Sequence, residues 1–157
     1  FELPQGGSIS LEMLPLLFFC VRWGMGGGFI ACFAFGVLQV FIQGAVSWGW
    51  QSILLDYVLA FSFLGLACVF AKPFKNKLVG VAVGSAAVCV LRFLCSFLSG
   101  ALLWGSYQES YEWARGMSVW LYSFIYNGSY MLPELLITTV CAVILCKAAP
   151  KFFLPEN

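Results

Sequence analysis

Residues 53–71 read ILLDYVLAFSFLGLACVFA, an apolar run interrupted by one ionisable side chain, Asp56, and followed by Lys72, Lys75 and Lys77. A helix needs about 20 such residues to cross the hydrocarbon core of a bilayer, so this stretch reads as a transmembrane helix. Four more apolar stretches accompany it: residues 9–21 and 26–42 before, residues 78–104 and 119–146 after. The first is short and carries Pro15, and the last two are long enough to tilt or to extend beyond the bilayer. No strand alternation between hairpin turns is present, which argues against a β-barrel. The fold class expected is an all-α membrane protein with five transmembrane helices, forming one domain over residues 1–157.

Composition agrees. Of the 157 residues, 62 % are hydrophobic, 18 % aromatic and 10 % charged; an ordinary soluble domain is about 45–50 % apolar and about 25 % charged. A globule of this size could not bury the excess, so a water-soluble fold is excluded and lipid must solvate most of the surface. Eight Lys+Arg against seven Asp+Glu leave a net charge of +1, without the basic field that suggests nucleic acid. Histidine is absent, which removes the commonest general base and the commonest metal ligand together. The seven cysteines, Cys20, Cys32, Cys68, Cys89, Cys95, Cys141 and Cys146, are scattered singly with no C-x-x-C. They read as small buried hydrophobes, not as disulfides or a zinc site. No charged segment precedes an apolar run at the start, so no signal peptide is expected, and the chain reads as a fragment truncated at its N-terminus.

Basic residues set the expected orientation. Arg22 lies between the first two stretches, Lys72, Lys75 and Lys77 between the third and fourth, and Lys147 and Lys151 after the fifth. Alternating crossings bring all six to one side, which the positive-inside rule makes cytoplasmic. The loop 72–77 and the C-terminus are then inside, and residues 43–51 and 105–118 outside. Residues 1–8 also fall outside, as a further upstream helix would require, so the parent is expected to be a six-helix bundle whose first helix is missing here. Gly24, Gly26, Gly27 and Gly28, and the G-x-x-x-G of Gly80 and Gly84, allow close approach of backbones. Internal packing is the simpler reading of them and a partner surface the other.

Trp48, Trp50, Trp104, Trp113 and Trp120, with Tyr107, Tyr111, Tyr122 and Tyr126, fall at the outer end, and only Trp23 among the tryptophans at the inner end. An ordinary aromatic belt decorates both interfaces, so the asymmetry predicts an outward-facing cavity walled by rings. Asp56, Arg92 and Glu134 lie within apolar stretches, where ionisable groups are costly and functional by default. The alternative is an Arg92–Glu134 or Arg92–Asp56 ion pair that holds helices together. Glu12, near the outer end of the first stretch, is expected at solvent. Arg92, Ser96, Gly100 and Trp104 recur every four residues and share one helical stripe. Gly100 leaves a gap there that either admits a flat ring against Trp104 or seats a neighbouring helix. Tyr122, Tyr126 and Tyr130 also step by four, and Asn127-Gly128 reads as a helix irregularity. A carboxylate among rings suits a flat, donor-rich ligand and tolerates a positive one, since a desolvated cation over an aromatic face gains about 2 kcal/mol.

These residues resemble a known family. The segment Leu3-Pro4-Gln5-Gly6-Gly7-Ser8-Ile9-Ser10, then Pro15, then Arg22-Trp23-Gly24, is similar to the second-helix region of the thiamine-specific substrate-binding (S) components of energy-coupling factor transporters. Leu54-Leu55-Asp56-Tyr57 with Ala60-Phe61 resembles their third helix, and Leu91-Arg92-Phe93 with Ser99-Gly100-Ala101 their fifth. Tyr122-Ser123 with Tyr126-Asn127-Gly128-Ser129-Tyr130-Met131 resembles the start of their last helix. The likeness covers nearly the whole chain in order.

The resemblance implies a multi-pass protein of the cell membrane that captures thiamine from outside. Delivery inward would come from an ATP-driven module, with a transmembrane coupling subunit and two ATPases as partners. It also implies that Asp56 holds the aminopyrimidine, with Tyr57 as its aromatic neighbour, Gly100 in the pocket and Trp104 stacked on the ligand. Tyr122 and Asn127 would line the other wall, and Arg92 would lie below the site. The chain departs from the family at Asp56, where some members have Glu, and at Ser96, which replaces a common histidine and counts among the candidate binding residues. The loop between Trp104 and Tyr122 holds extra residues, including Glu109, Tyr111, Glu112 and Trp113.

No G-x-x-x-x-G-K-[ST] occurs, so ATP is expected to be used by the partner subunits and no cofactor by this chain. The expected function is binding for import, not catalysis. Alternatives are an S component for a related heterocycle such as a thiamine precursor, a membrane enzyme working through Asp56, Glu109, Glu112 or Glu134, and a structural multi-pass protein. Absent histidine and the lack of a metal-ligand cluster stand against the enzyme, and a purely structural role leaves the one-sided aromatics unexplained.

Overall fold

A computed structural model describes residues 9–45 and 49–153. Helices account for nearly all of them, and no strand occurs among the described residues. Helix α1 runs Met13–Ile42, α2 Trp50–Ala71, α3 Lys77–Leu102 and α4 Val119–Ala148, followed by a short turn, α5, Pro150–Phe153. Each of α2, α3 and α4 is long and apolar enough to cross a bilayer, and α1 has that length and composition when its 30 residues are counted together. Side-chain caps start two of them. Asn76 Oδ1 accepts from the Leu78 and Val79 N–H groups at α3, and Ser118 Oγ accepts from Leu121 N at α4, satisfying donors that a helix N-terminus leaves open.

Helix α1 is not one rod. Gly24 has φ 77° and ψ −172°, a conformation that glycine adopts without a Cβ penalty, and the chain reverses there. Cys20 and Cys32, 12 positions apart, bring their Sγ atoms to 3.5 Å, whereas a straight helix would separate their backbones by about 18 Å. Gln39 Nε2 donates to Glu12 Oε2 at 2.5 Å across 27 positions. The element is therefore a hairpin with arms 13–23 and 25–42. With α2 to α4 it makes the five helical segments expected. The first arm is only roughly 16 Å long, and Glu12 at its start bonds Arg92, which lies well inside α3. Glu12 thus sits at mid-depth in an ion pair, with its side chain 20 % exposed, and not at a solvent-facing outer end. Residues 1–8, expected outside, lie outside the described residues.

Helix α2 departs from regular geometry, widening to a π turn over Ile53–Leu59 and tightening to a 3-10 turn over Phe63–Leu66. Such widened turns collect at functional sites, and this one carries Asp56 and Tyr57. Asn127 and Gly128, by contrast, sit in unbroken helix. The Asn127 amide Nδ2 donates to Ser123 O, one turn back, at 2.9 Å, which anchors the side chain without disturbing the backbone.

Small residues let the helices touch. A Cβ on Gly80 or Gly84 would come within 2.8 and 2.6 Å of the carbonyl oxygens of Ala71 and Ala67, so the G-x-x-x-G seats α3 on α2 and serves internal packing. Gly65 is as tight against the hairpin: a Cβ there would lie 2.6 Å from Phe29 Cα and 2.8 Å from Phe29 N. Backbone cannot yield as a side chain does. Gly65→Ala should therefore cost about 1–3 kcal/mol, the usual range for overpacking, and appear as earlier thermal unfolding of the detergent-solubilised protein. An unchanged midpoint would show that α2 and the arm 25–42 part freely.

The outward faces are apolar, with Ile30, Phe41, Ile42 and Leu132 each more than half exposed, a surface that only lipid solvates cheaply. All seven cysteines are free thiols, six buried and Cys141 partly so. Arg22 Nη1 donates to the Lys151 carbonyl, tying the hairpin turn to α5. The six basic residues thus share one end of the bundle. The opposite end carries Trp104 and the loop that follows it.

Candidate functional site

At the Trp104 end, Asp56 is the centre of a hydrogen-bond cluster that joins α2 to α3. Its Oδ2 accepts from Ser52 Oγ at 2.7 Å and from Ser99 Oγ at 2.5 Å. Ser52 is one turn before Asp56 on α2, and Ser99 projects from α3; both are buried. Trp104 Nε1 in turn donates to Ser52 Oγ at 3.2 Å, so the indole at the end of α3 is fixed by the serine that orients the acid. Oδ1 has no hydrogen-bond partner among the described residues and is not sealed from solvent. One oxygen positions the carboxylate and the other remains available to a donor.

Across α3 lies a wall of rings on α4 and the loop. Tyr122 stands 5.7 Å from Tyr126, and Tyr126 stands 5.9 Å from Tyr130, between ring centroids. Tyr111 and Trp113 of the loop approach Tyr122 to 6.1 and 5.6 Å. Tyr130 Oη donates to Asn127 Oδ1 at 2.7 Å. Because Asn127 Nδ2 is already bonded to Ser123, both ends of the amide are held.

Deeper, Arg92 Nη1 donates to Glu134 Oε1 at 3.1 Å and Nη2 to Glu12 Oε1 at 3.4 Å. Its guanidinium carbon lies 4.6 Å from the centroid of the Phe61 ring. Ser10 Oγ adds a bond to Glu134 Oε1 at 3.4 Å. Charged groups this far into an apolar bundle persist by pairing, and this cluster joins α3, α4 and the start of α1. A cavity of about 370 Å³ lies elsewhere, between α3 and α4, with Cys89, Phe93, Phe124, Gly128, Met131 and Leu135 among its walls. It is apolar and does not include Asp56 or Trp104.

Residues 1–154 match the family described as "Thiamine transporter protein (Thia_YuaJ)". The chain belongs to that family. The thiamine transporter ThiT of Bacillus subtilis (strain 168) is 33 % identical over 154 residues, covering 92 % of this chain and 76 % of the relative. ThiT of Lacticaseibacillus paracasei is 25 % identical over 168 residues, covering 95 % and 78 %. A solved structure of ThiT from Listeria monocytogenes matches with a TM-score of 0.79 at 28 % identity, over 94 % of this chain and 83 % of that one. The thiamine transporter family is one of transport proteins, not enzymes, and its helical membrane fold is the one found here.

Set against this thiamine transporter frame, the expected site residues divide. Asp56 and Trp104 share the serine relay, and Tyr122 joins the ring wall. Asn127 reaches the same region from the far side of Gly100. Gly100 itself seats a helix: a Cβ there would lie 2.4 Å from Ser123 Oγ and 2.9 Å from Asn127 Nδ2, so α4 fills the gap that a flat ring would need. Tyr57 belongs to the core against α1, 6 % exposed, with Oη donating to Gln43 Oε1 at 2.9 Å. Arg92 is engaged by Glu12 and Glu134, which is the Arg92–Glu134 alternative; no Arg92–Asp56 ion pair forms among the described residues. Ser96 is half-buried on the stripe below Gly100. Trp50 and Trp120 are 70 % and 48 % exposed and suit the membrane interface, while Trp48 lies outside the described residues. Ser52 and Ser99 are not among the site residues expected from the sequence, although Ser52 precedes Asp56 by the four residues that place two side chains on one helical face.

Proposed function

We propose that this chain is the membrane-embedded substrate-binding component of an energy-coupling factor importer. It captures thiamine at the Trp104 end and delivers it to the opposite side when a transmembrane coupling subunit and two ATPases move it. The observation that carries this reading is Asp56, with one oxygen held by two hydroxyls, the other open, and an indole tied to the same serine. An aminopyrimidine presents N–H donors to such an oxygen, a strong charge-assisted contact in low dielectric, and a flat ring that can stack on the Trp104 indole. The tyrosine wall suits the thiazolium, since aromatic faces attract cations. The relatives support the ligand, all being named thiamine transporters. Release requires a second state of much lower affinity, which the ATPases supply, because the sequence has no phosphate-cradling loop.

Titration of the purified protein with thiamine, its phosphates and its two ring halves, followed by tryptophan fluorescence, tests the reading. Thiamine should quench saturably and most tightly. No response to thiamine would overturn it, and a tighter response to one ring half would turn it into uptake of a precursor. The shared basic end is the cytoplasmic one by the positive-inside rule. Lys75→Cys in intact cells should therefore resist a membrane-impermeant thiol reagent and react after permeabilisation; labelling from outside would reverse the orientation.

A further inference from the structure

The loop between α3 and α4 is more ordered than a connection requires. It forms two 3-10 turns, Gly105–Ser110 and Glu112–Ala114, and is pinned twice. A Cβ on Gly105 would lie 2.9 Å from Val119 Cγ1, and Ala114 is fully buried. Between these points Tyr111 takes an extended conformation and lies 6.1 Å from Tyr122 with the ring planes 24° apart. Trp113 closes on the same tyrosine from 5.6 Å while remaining 37 % exposed. Cation–π contacts among the described residues are Arg22 on Trp23 and Arg92 on Phe61, so no basic side chain among the described residues covers Tyr111, Trp113 or Tyr122. Glu109 and Glu112 are exposed on the same loop and add negative potential around these electron-rich faces.

We propose that Tyr111 and Trp113 are ligand-contacting residues. With Tyr122 they form a loop-borne aromatic cage for a flat heteroaromatic cation and set how slowly it leaves. This rests on the thiamine reading above, the thiazolium being that cation. The rings are carried by the loop that follows Trp104, at the end of the bundle that bears Asp56, and they already contact Tyr122 of the wall.

Release of labelled thiamine from the purified full chain, chased with unlabelled ligand, provides the test. Tyr111→Ala and Trp113→Ala should each speed release, and the double variant by about tenfold or more, as expected when cation–π contacts are lost. Tyr111→Phe and Trp113→Phe keep a ring face and should release at close to the unmodified rate. An analogue with a neutral ring in place of the thiazolium should be much less affected by the alanine changes. If the unmodified protein holds no thiamine, the functional reading itself fails. If it holds thiamine but the alanine variants release it unchanged, or the phenylalanine variants are as fast as the alanine ones, the cage is overturned. Equal acceleration for the neutral analogue would overturn the cation assignment.

Discussion

Asp56→Asn should weaken thiamine binding by roughly 2–3 kcal/mol, about 30- to 150-fold in Kd, the loss expected when a hydrogen bond to a charged partner is removed. The substitution preserves shape but not acceptor count. Ser52 and Ser99 both donate to one oxygen, so an asparagine that keeps them must place its single carbonyl oxygen there. Its NH2 group then occupies the position of Oδ1 and faces the donors of the aminopyrimidine. Flipping the amide instead gives the ligand its acceptor but makes both serines reorient. Ser52 would then lose the geometry by which it receives Trp104 Nε1, and the indole would loosen. Either rotamer costs affinity. Calorimetry with thiamine reads the effect directly, and unfolding of the ligand-free variant separates it from misfolding, since removing a charge from this apolar zone should not destabilise the bundle. Unchanged affinity would remove Asp56 from the site.

Parts of this arrangement could be read from residue order because they are local. Apolar runs of bilayer length and the recurrence of lysine and arginine in every second connection depend on nearby residues alone, so α2, α3, α4 and the shared basic end were legible. So was a break between residues 21 and 26, although its cause, the left-handed Gly24, is a backbone angle. Other features belong to contacts between segments. The every-four stripe through Gly100 is a property of α3, whereas Ser123 and Asn127, which fill its gap, belong to α4. The depth of Glu12 follows from the shortness of arm 13–23 and from the position of Arg92 in another helix. Tyr57, expected beside Asp56 at the ligand, lies on the same π turn, and its phenol donates to Gln43 at the end of α1, a partner that α2 read alone does not reveal. Ser99 lay one position off the stripe that drew attention to Ser96.

Arg92→Met should be the most damaging single change to stability, costing about 3–5 kcal/mol, the range for removing one partner of a buried ion pair. Methionine fills much of the same volume and keeps the contact with Phe61, so the loss is electrostatic and not a cavity. Glu134 is 1 % exposed, and its Oε2 has no hydrogen-bond partner even with Arg92 present. Without the guanidinium it would keep only the bond from Ser10 among the described residues. Glu12 would keep Gln39 but face a second carboxylate with no cation between them. Because Arg92 links α3 to α4 and to the start of α1, unfolding in detergent should begin at lower denaturant or temperature. The double variant Arg92→Met, Glu134→Gln should recover most of the loss, since it removes the stranded charge together with its partner, and a double-mutant cycle isolates that coupling. Were Arg92→Met as stable as the unmodified protein, or the double variant no better than the single, this ion cluster would not be what binds the three segments together.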